Sequence, residues 1–130
     1  MSKMIKERTR KGFGLSDGSD KPRIQRLARL EKATIRQRRS KALSSFTSPS
    51  KSNLTETGQM VASLAVRTVK NGLRIFLRDS RNDGKSNNEL ASRHEDGRVR
   101  GGKKRRFVGL SVREQSKIVK ALTQSLSKYF

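Results

Sequence analysis

The sequence predicts a mainly α fold, with a basic N-terminal arm followed by about three amphipathic helices. Two of these helices are expected to form a helical hairpin joined by a long loop. Two observations support this prediction. Cationic side chains in the middle of the chain recur at helical spacing, and the last segment opens with a helix-capping motif that is followed by one apolar and one cationic row of side chains.

The first 52 residues are predicted to form a basic arm and an Arg-rich helix that are partly disordered. Residues 1–20 are basic and end in a stretch rich in Gly, Ser and Asp. Asp20 and Pro22 suit the first turn of a helix over about residues 24–43. The apolar face of that helix is narrow, so we expect the helix to become more ordered when it binds a polyanion. A Ser-rich linker follows at 44–53.

The segment from about residue 55 to residue 80 has two structural interpretations. Arg67, Lys70, Arg74 and Arg78 are spaced by 3, 4 and 4 residues, which predicts a helix with one cationic stripe. The alternative is an α+β fold with a small hairpin at 64–78, because Asn-Gly between apolar runs is a strong hairpin signal. We prefer the helix, since the hairpin would place Phe76 on the same face as three arginines.

Residues 53–130 are predicted to be a small helical scaffold or oligomerisation region. Its flexible loop spans 79–106, where Asn, Asp, Gly and Ser dominate and apolar residues show no regular spacing. The last helix is expected over 111–130, because Ser111 and Glu114 match the capping box. Its apolar side should pack against the apolar side of the preceding helix.

Composition restricts the classes of function. The chain has 130 residues, of which 31% are hydrophobic and 33% are charged, and its net charge is +21. It contains no cysteine and a single histidine, His94, and it lacks a Walker phosphate-binding loop. We therefore expect no enzyme activity, no catalytic residues, no metal site and no cofactor.

The charge predicts a nucleic-acid-binding protein that contacts phosphates without sequence specificity, such as a ribonucleoprotein, viral or plasmid-processing accessory component. RNA is favoured over DNA because arginines outnumber lysines, 18 to 14, and arginine stacks on exposed bases. The alternative is a helical protein-interaction adaptor that docks on acidic partners. The candidate nucleic-acid-binding residues are Arg8, Arg10, Lys11, Arg23, Arg26, Arg29, Lys32, Arg36, Arg38, Arg39, Arg67, Lys70, Arg74, Arg78, Lys103, Lys104, Arg105 and Arg106.

Further partners and location follow from the same features. Apolar helix faces predict a homo-oligomer or a partner protein. The N-terminal residues lack the apolar core of a signal peptide, and no run approaches the roughly 20 apolar residues of a membrane span. We therefore expect a cytoplasmic or nuclear protein without integral membrane association. The basic run at 103–106 matches a nuclear localisation signal.

Overall fold

The computed structural model describes residues 1–17, 20–45, 47–54, 58–78, 84, 86–99 and 102–130. Within these residues the protein is a mixed α+β fold with five helices and two antiparallel two-stranded sheets, so the predicted mainly α class is wrong. The helices are α1 (Ser2–Arg10), α2 (Lys32–Arg39), α3 (Gln59–Ala62), α4 (Asn87–Asp96) and α5 (Val112–Ser127). The strands are β1 (Phe13–Leu15), β2 (Ile24–Arg26), β3 (Leu64–Val69) and β4 (Gly72–Leu77).

The middle of the chain forms a β-hairpin where the preferred interpretation was a helix. Strands β3 and β4 pair from Leu64 opposite Leu77 to Val69 opposite Gly72. Leu64 and Leu77 are buried. Val66 on β3, and Ile75 and Leu73 on β4, follow them at steps of two residues on the same face of the ribbon, which is the period of a half-buried strand. Gly72 follows the two-residue turn with φ +152°, a backbone conformation that side-chain-bearing residues rarely adopt.

The sequence disfavoured the hairpin because Phe76 would lie on the same face as three arginines, and the structure shows how this face accommodates the ring. The face that carries the arginines does include Phe76, as the hairpin interpretation required. The Arg67 guanidinium carbon lies 5.5 Å from the centre of the Phe76 ring, so the aromatic ring is paired with a cation. Phe76 and Arg67 can therefore share this face of the ribbon favourably.

The N-terminal half also differs from its prediction. Residues Ile5, Arg8 and Thr9 have the i, i+3, i+4 spacing of one helix face, and α1 buries all three of them. The predicted Arg-rich helix over 24–43 is wrong, because its first residues form β2, which pairs with β1. Only the part from Lys32 to Arg39 is helical.

One apolar core draws residues from both halves of the chain. Ile5 of α1 and Leu27, next to β2, belong to the same cluster as Leu64, Leu77 and Phe107. Ile5 and Phe107 are fully buried. Among the described residues, no helix has both the length and the apolar character that crossing a membrane requires.

Helix α4 lies inside the segment that was predicted to be a loop. Ser86 caps it by accepting a hydrogen bond from the Glu89 backbone N–H. The Asn87 amide donates to the Arg78 carbonyl oxygen, 2.9 Å, and the Asn88 amide donates to the Leu77 carbonyl oxygen, 2.9 Å. The two asparagines therefore fix the base of the β3–β4 hairpin.

A buried ion pair joins the first helix to the last. Arg8 of α1 and Glu114 of α5 have side chains that are 5% and 6% exposed, and their charged ends are hydrogen-bonded. Arg8 also donates to the carbonyl oxygens of Phe107, 2.6 Å, and Gly109, 3.2 Å. Glu114 accepts from the backbone N–H and the hydroxyl of Ser111, at 2.8 and 2.9 Å. Each charge is thus neutralised and hydrogen-bonded.

The capping box at Ser111 and Glu114 is confirmed, and α5 runs from Val112 to Ser127. The predicted packing of this helix in a helical hairpin is wrong, because its expected partner segment is the β3–β4 ribbon. The first turn of α5 is fixed to the body through Glu114 and through the Val112 N–H, which donates to the Pro22 carbonyl oxygen at 3.0 Å. Ile118 in the next turn is half-buried, and the helix from Val119 onward is exposed to solvent.

Replacing Arg8 by Met should lower the free energy of unfolding by about 3–5 kcal/mol, because Glu114 would keep a buried charge without its partner. Urea denaturation followed by circular dichroism measures this change. The matched control on the same helix is Lys3→Ala, which breaks the exposed Lys3–Glu7 pair, 4.0 Å, and should change stability little. Equal losses in the two variants would contradict the structural role of Arg8.

His94 lies on α4 and is partly buried, and its ring Nδ1 has no hydrogen-bond partner among the described residues. Burial and the nearby charges of Arg105 and Arg38 lower its pKa from 6.5 to about 4. The folded protein therefore holds His94 neutral at pH values where the unfolded chain already binds a proton. Stability is lost as pH falls below the unfolded pKa.

The free energy of unfolding should fall by about 2 kcal/mol between about pH 7 and about pH 5, because only the unfolded state gains the His94 proton in that range. Denaturant titrations at several pH values measure the slope. His94 is the only histidine, so His94→Gln should flatten the curve in this window. An unchanged slope in that variant would assign the pH dependence to other groups.

Candidate nucleic-acid interface

Three of the predicted phosphate-binding arginines are buried in the protein interior. Arg8 binds Glu114 and two carbonyl oxygens, as described above. Arg38 donates to the carbonyl oxygen of Lys51, 3.1 Å, and Arg105 donates to those of Ala28, 3.1 Å, and Arg29, 2.8 Å. All three are at most 6% exposed. Their guanidinium groups join segments of the chain, so we leave them out of the proposed interface.

The basic run at 103–106 also interacts within the chain. Lys103 pairs with Glu31 at 3.3 Å, and Lys104 pairs with Asp17 at 3.2 Å. An Arg106 nitrogen lies 3.7 Å from the same Asp17. These three cations are at least partly neutralised, so the run contributes less positive charge to solvent than its sequence suggests.

Strands β3 and β4 bring three predicted arginines onto one face of the hairpin. Arg67 lies directly opposite Arg74 in the antiparallel register. Arg74, Phe76 and Arg78 are two residues apart, so their side chains leave the same face of the extended chain. We call the surface formed by Arg67, Arg74, Phe76 and Arg78 the ribbon face.

The ribbon face is accessible because the end of the hairpin projects into solvent. Arg67, Lys70, Arg74 and Arg78 are all exposed, and so are the residues between 67 and 74. Lys70 stands in the two-residue turn between the strands. Within the described part of the chain, these four cations have no acidic partner at ion-pair distance. The hairpin therefore presents four cations to solvent.

The pairing of Arg67 with Arg74 is electrostatically unfavourable in the isolated protein. Like charges directly opposite each other on neighbouring strands destabilise a sheet. The ring of Phe76 offsets part of this repulsion for Arg67. An anion placed between the two guanidinium groups would relieve the remainder and gain charge-assisted hydrogen bonds.

A second cationic surface surrounds Phe13. The cleft has a volume of about 350 Å³. The guanidinium carbon of Arg26, which pairs with Phe13 in the first sheet, lies 5.9 Å from the centre of the Phe13 ring. We call this surface the Phe13 cleft, and the residues that line it are Lys11, Gly12, Phe13, Arg26, Leu27, Arg29, Ser50, Lys51 and Ser52.

The Phe13 cleft contains residues that the sequence did not predict for the interface. Lys51 and the two neighbouring serines come from the predicted linker, where an isolated lysine gives no signal of function. They reach the cleft because Arg38 and Arg105 tie this segment to the rest of the chain, through the Lys51 carbonyl and the Ser52 hydroxyl. The prediction did include Lys11, Arg26 and Arg29, which meet in this cleft.

The other predicted cations belong to neither surface as defined. Arg10 is half-buried at the end of α1. The remaining side chains are exposed on or beside β2 and α2, and they are Arg23, Lys32, Arg36 and Arg39. The candidate interface therefore consists of the ribbon face with Lys70, and the Phe13 cleft.

Comparison of the chain with protein-family models, curated proteins and solved structures gives no match. The chemistry of the two surfaces must therefore be inferred from their own geometry. Together they define a small α+β protein with a projecting cationic ribbon and a cationic cleft built around an aromatic ring.

Arg74→Thr should raise the free energy of unfolding by about 0.2–1 kcal/mol at low salt, because it removes the like charge opposite Arg67 and retains a good strand residue. Thermal denaturation at low and high salt measures the effect. The gain should shrink at high salt, where the repulsion is screened in the parent protein. A destabilised variant would show that Arg74 has a structural role that the ribbon geometry does not reveal.

Proposed function

We propose that this protein binds nucleic acid through the ribbon face and the Phe13 cleft. The single observation that supports this proposal best is the set of four exposed cations on the projecting hairpin, two of them held opposite each other without an acidic partner among the described residues. Such an arrangement lowers stability in the free protein and is compensated when an anion binds.

A phosphate backbone supplies anions in a row, which suits cations spaced along a ribbon. Each cation that neutralises a phosphate releases a counterion, so the binding free energy depends steeply on salt. Contacts of this type carry little sequence information. We therefore propose a binder with weak sequence preference, serving as a ribonucleoprotein, viral or plasmid-processing accessory component.

We propose RNA as the preferred ligand and DNA as its competitor. The Phe13 cleft combines an aromatic ring with four cations, a combination that suits unpaired bases and their phosphates. Two-stranded ribbons also fit the major groove of B-form DNA. Competition between a single-stranded RNA and a DNA duplex of equal charge decides between these ligands.

The alternative function is a protein-interaction adaptor that docks on acidic partners. The exposed apolar side chains of α5 favour it, because they offer a surface that phosphate binding does not use. Purification at high salt after nuclease treatment separates the two functions. A defined acidic protein that stays bound, together with no affinity for any polynucleotide, would support the adaptor.

The triple substitution Arg67→Ala, Arg74→Ala and Arg78→Ala should weaken RNA binding because it removes three phosphate contacts. The slope of log affinity against log salt should become shallower by about two to three, on the basis of roughly 0.7–0.9 counterions released per contact. Fluorescence anisotropy with a labelled RNA at several salt concentrations measures both quantities.

The matched control removes three cations from the polar side of α5 and from its C-terminal cap, with Lys117→Ala, Lys120→Ala and Lys128→Ala. It changes the net charge equally but leaves the ribbon face intact. If both triple variants lose the same affinity and the same salt slope, net charge alone governs binding and the ribbon has no specific role. A parent protein whose affinity does not depend on salt would refute nucleic-acid binding through phosphates.

A further inference from the structure

Helix α5 is an amphipathic rod whose apolar side has no partner within the described structure. Its start is fixed by the buried Glu114, but every residue from 119 to 130 is exposed. Val119, Leu122 and Leu126 are 57–62% exposed, and Tyr129 and Phe130 are more exposed still. Helical stability in proteins comes mostly from packing of an apolar face, and the apolar side of α5 is left available for a partner.

The apolar residues of α5 follow the spacing of a coiled-coil seam. The positions 112, 115, 119, 122, 126 and 129 are separated by alternating steps of three and four residues, which corresponds to the a and d positions of a heptad repeat, and five of the six residues are apolar. Val112, Val119 and Leu126 occupy a positions, and Gln115, Leu122 and Tyr129 occupy d positions, with Tyr129 two residues beyond the end of α5 at Ser127. A β-branched residue at a with Leu at d, as at Val119 and Leu122, is the combination that favours two-stranded coils.

The placement of charge indicates what kind of partner the seam fits. The positions that flank it carry Ser116, Ile118, Thr123, Ser125 and Phe130, none of which is charged. The cations Arg113, Lys117, Lys120 and Lys128 all fall at the outer b, c and f positions. A second α5 can therefore approach the seam without bringing like charges together, which matters in a chain of net charge +21.

We propose that α5 pairs with α5 of a second copy of this chain to form a two-stranded coil. Tyr and Phe bury about 150–250 Å² each, so Tyr129 and Phe130, which follow the end of α5, and the three exposed aliphatic residues of the helix together offer roughly 500–700 Å² per chain. A standard interface buries about 800 Å² per partner. The area therefore suits a reversible dimer that forms as protein concentration rises.

Self-association of α5 rests on apolar spacing and is independent of the proposed nucleic-acid binding. If both hold, the dimer carries two ribbon faces, and the second face binds a nucleic acid at a raised effective concentration. The monomeric form would then bind a long RNA more weakly than the dimer, although each copy keeps its own phosphate contacts.

Sedimentation velocity of the nuclease-treated full-length protein at high salt tests the proposal. The parent protein should shift from the mass of one chain towards that of two as its concentration increases. Leu122→Glu should remain monomeric, because it places a charge in the seam. Gln124→Glu introduces the same charge two residues away at an outer f position and should dimerise like the parent. Circular dichroism of both variants checks that they remain folded.

Cysteine crosslinking provides a second measurement, and it does not require a substitution that disrupts the proposed interface. The chain contains no cysteine, so a single introduced thiol reports one position. Leu122 lies near the middle of the segment 112–130, where the two helices meet in either orientation. Under mild oxidation, Leu122→Cys should form a covalent dimer efficiently, whereas Gln124→Cys should form little.

Three outcomes would overturn the proposal. The first is a parent protein that sediments as one chain at every concentration, and the second is equal crosslinking of the two cysteine variants. The third is a monomer in solution that binds phosphatidylserine-containing vesicles and loses this binding with Leu122→Glu, which would make α5 a membrane-surface helix. The triple ribbon variant should dimerise like the parent, so a failure of self-association is distinguishable from a failure of nucleic-acid binding.

Discussion

The buried pair of Arg8 and Glu114 is the interaction on which the rest of the structure depends. It joins the first helix of the chain to the last, and the same two side chains hold three further groups. Arg8 binds the carbonyl oxygens of Phe107 and Gly109, and Glu114 closes the capping box at Ser111. Buried ion pairs are favourable only when their remaining hydrogen-bonding capacity is used, and here most of it is. The pair thereby sets where α5 leaves the body and in which direction the α5 seam extends.

Arginine has two roles in this protein. Buried arginines link distant segments of the chain, and exposed arginines carry positive charge at the surface. A chain with 31% hydrophobic residues has a small core, so polar links must hold the segments that the core does not reach. Arg8, Arg38 and Arg105 form such links by donating to backbone carbonyl oxygens of distant segments. Within the part of the chain that the structure describes, the exposed arginines of the ribbon face and the Phe13 cleft form no comparable link. They retain positive charge at the surface, and this charge is the basis of the proposed function.

The sequence predicted correctly that cations of the middle segment share a surface, but it predicted the wrong secondary structure for that segment. Arg67, Lys70, Arg74 and Arg78 were expected to share one surface, and the three arginines do share a face, although the element is a ribbon. A spacing of seven residues between 67 and 74 fits two helical turns, and it also fits two positions opposite each other across a tight turn. Charge spacing alone does not separate these cases. An aromatic residue among arginines does not disfavour the hairpin here, because Phe76 forms a cation–π contact with Arg67.

The sequence by itself determined the net charge, the capping box at the start of α5 and the two-sided character of that helix, because each depends on residues within a few positions of one another. Only the tertiary structure decided which arginines are buried. That choice depends on contacts across more than 70 residues, such as Arg8 with Glu114 and Arg105 with the carbonyls of Ala28 and Arg29. It also decided that the middle segment is a ribbon, since the burial of Leu64 and Leu77 against Ile5 and Phe107 outweighs the local helical spacing of the cations.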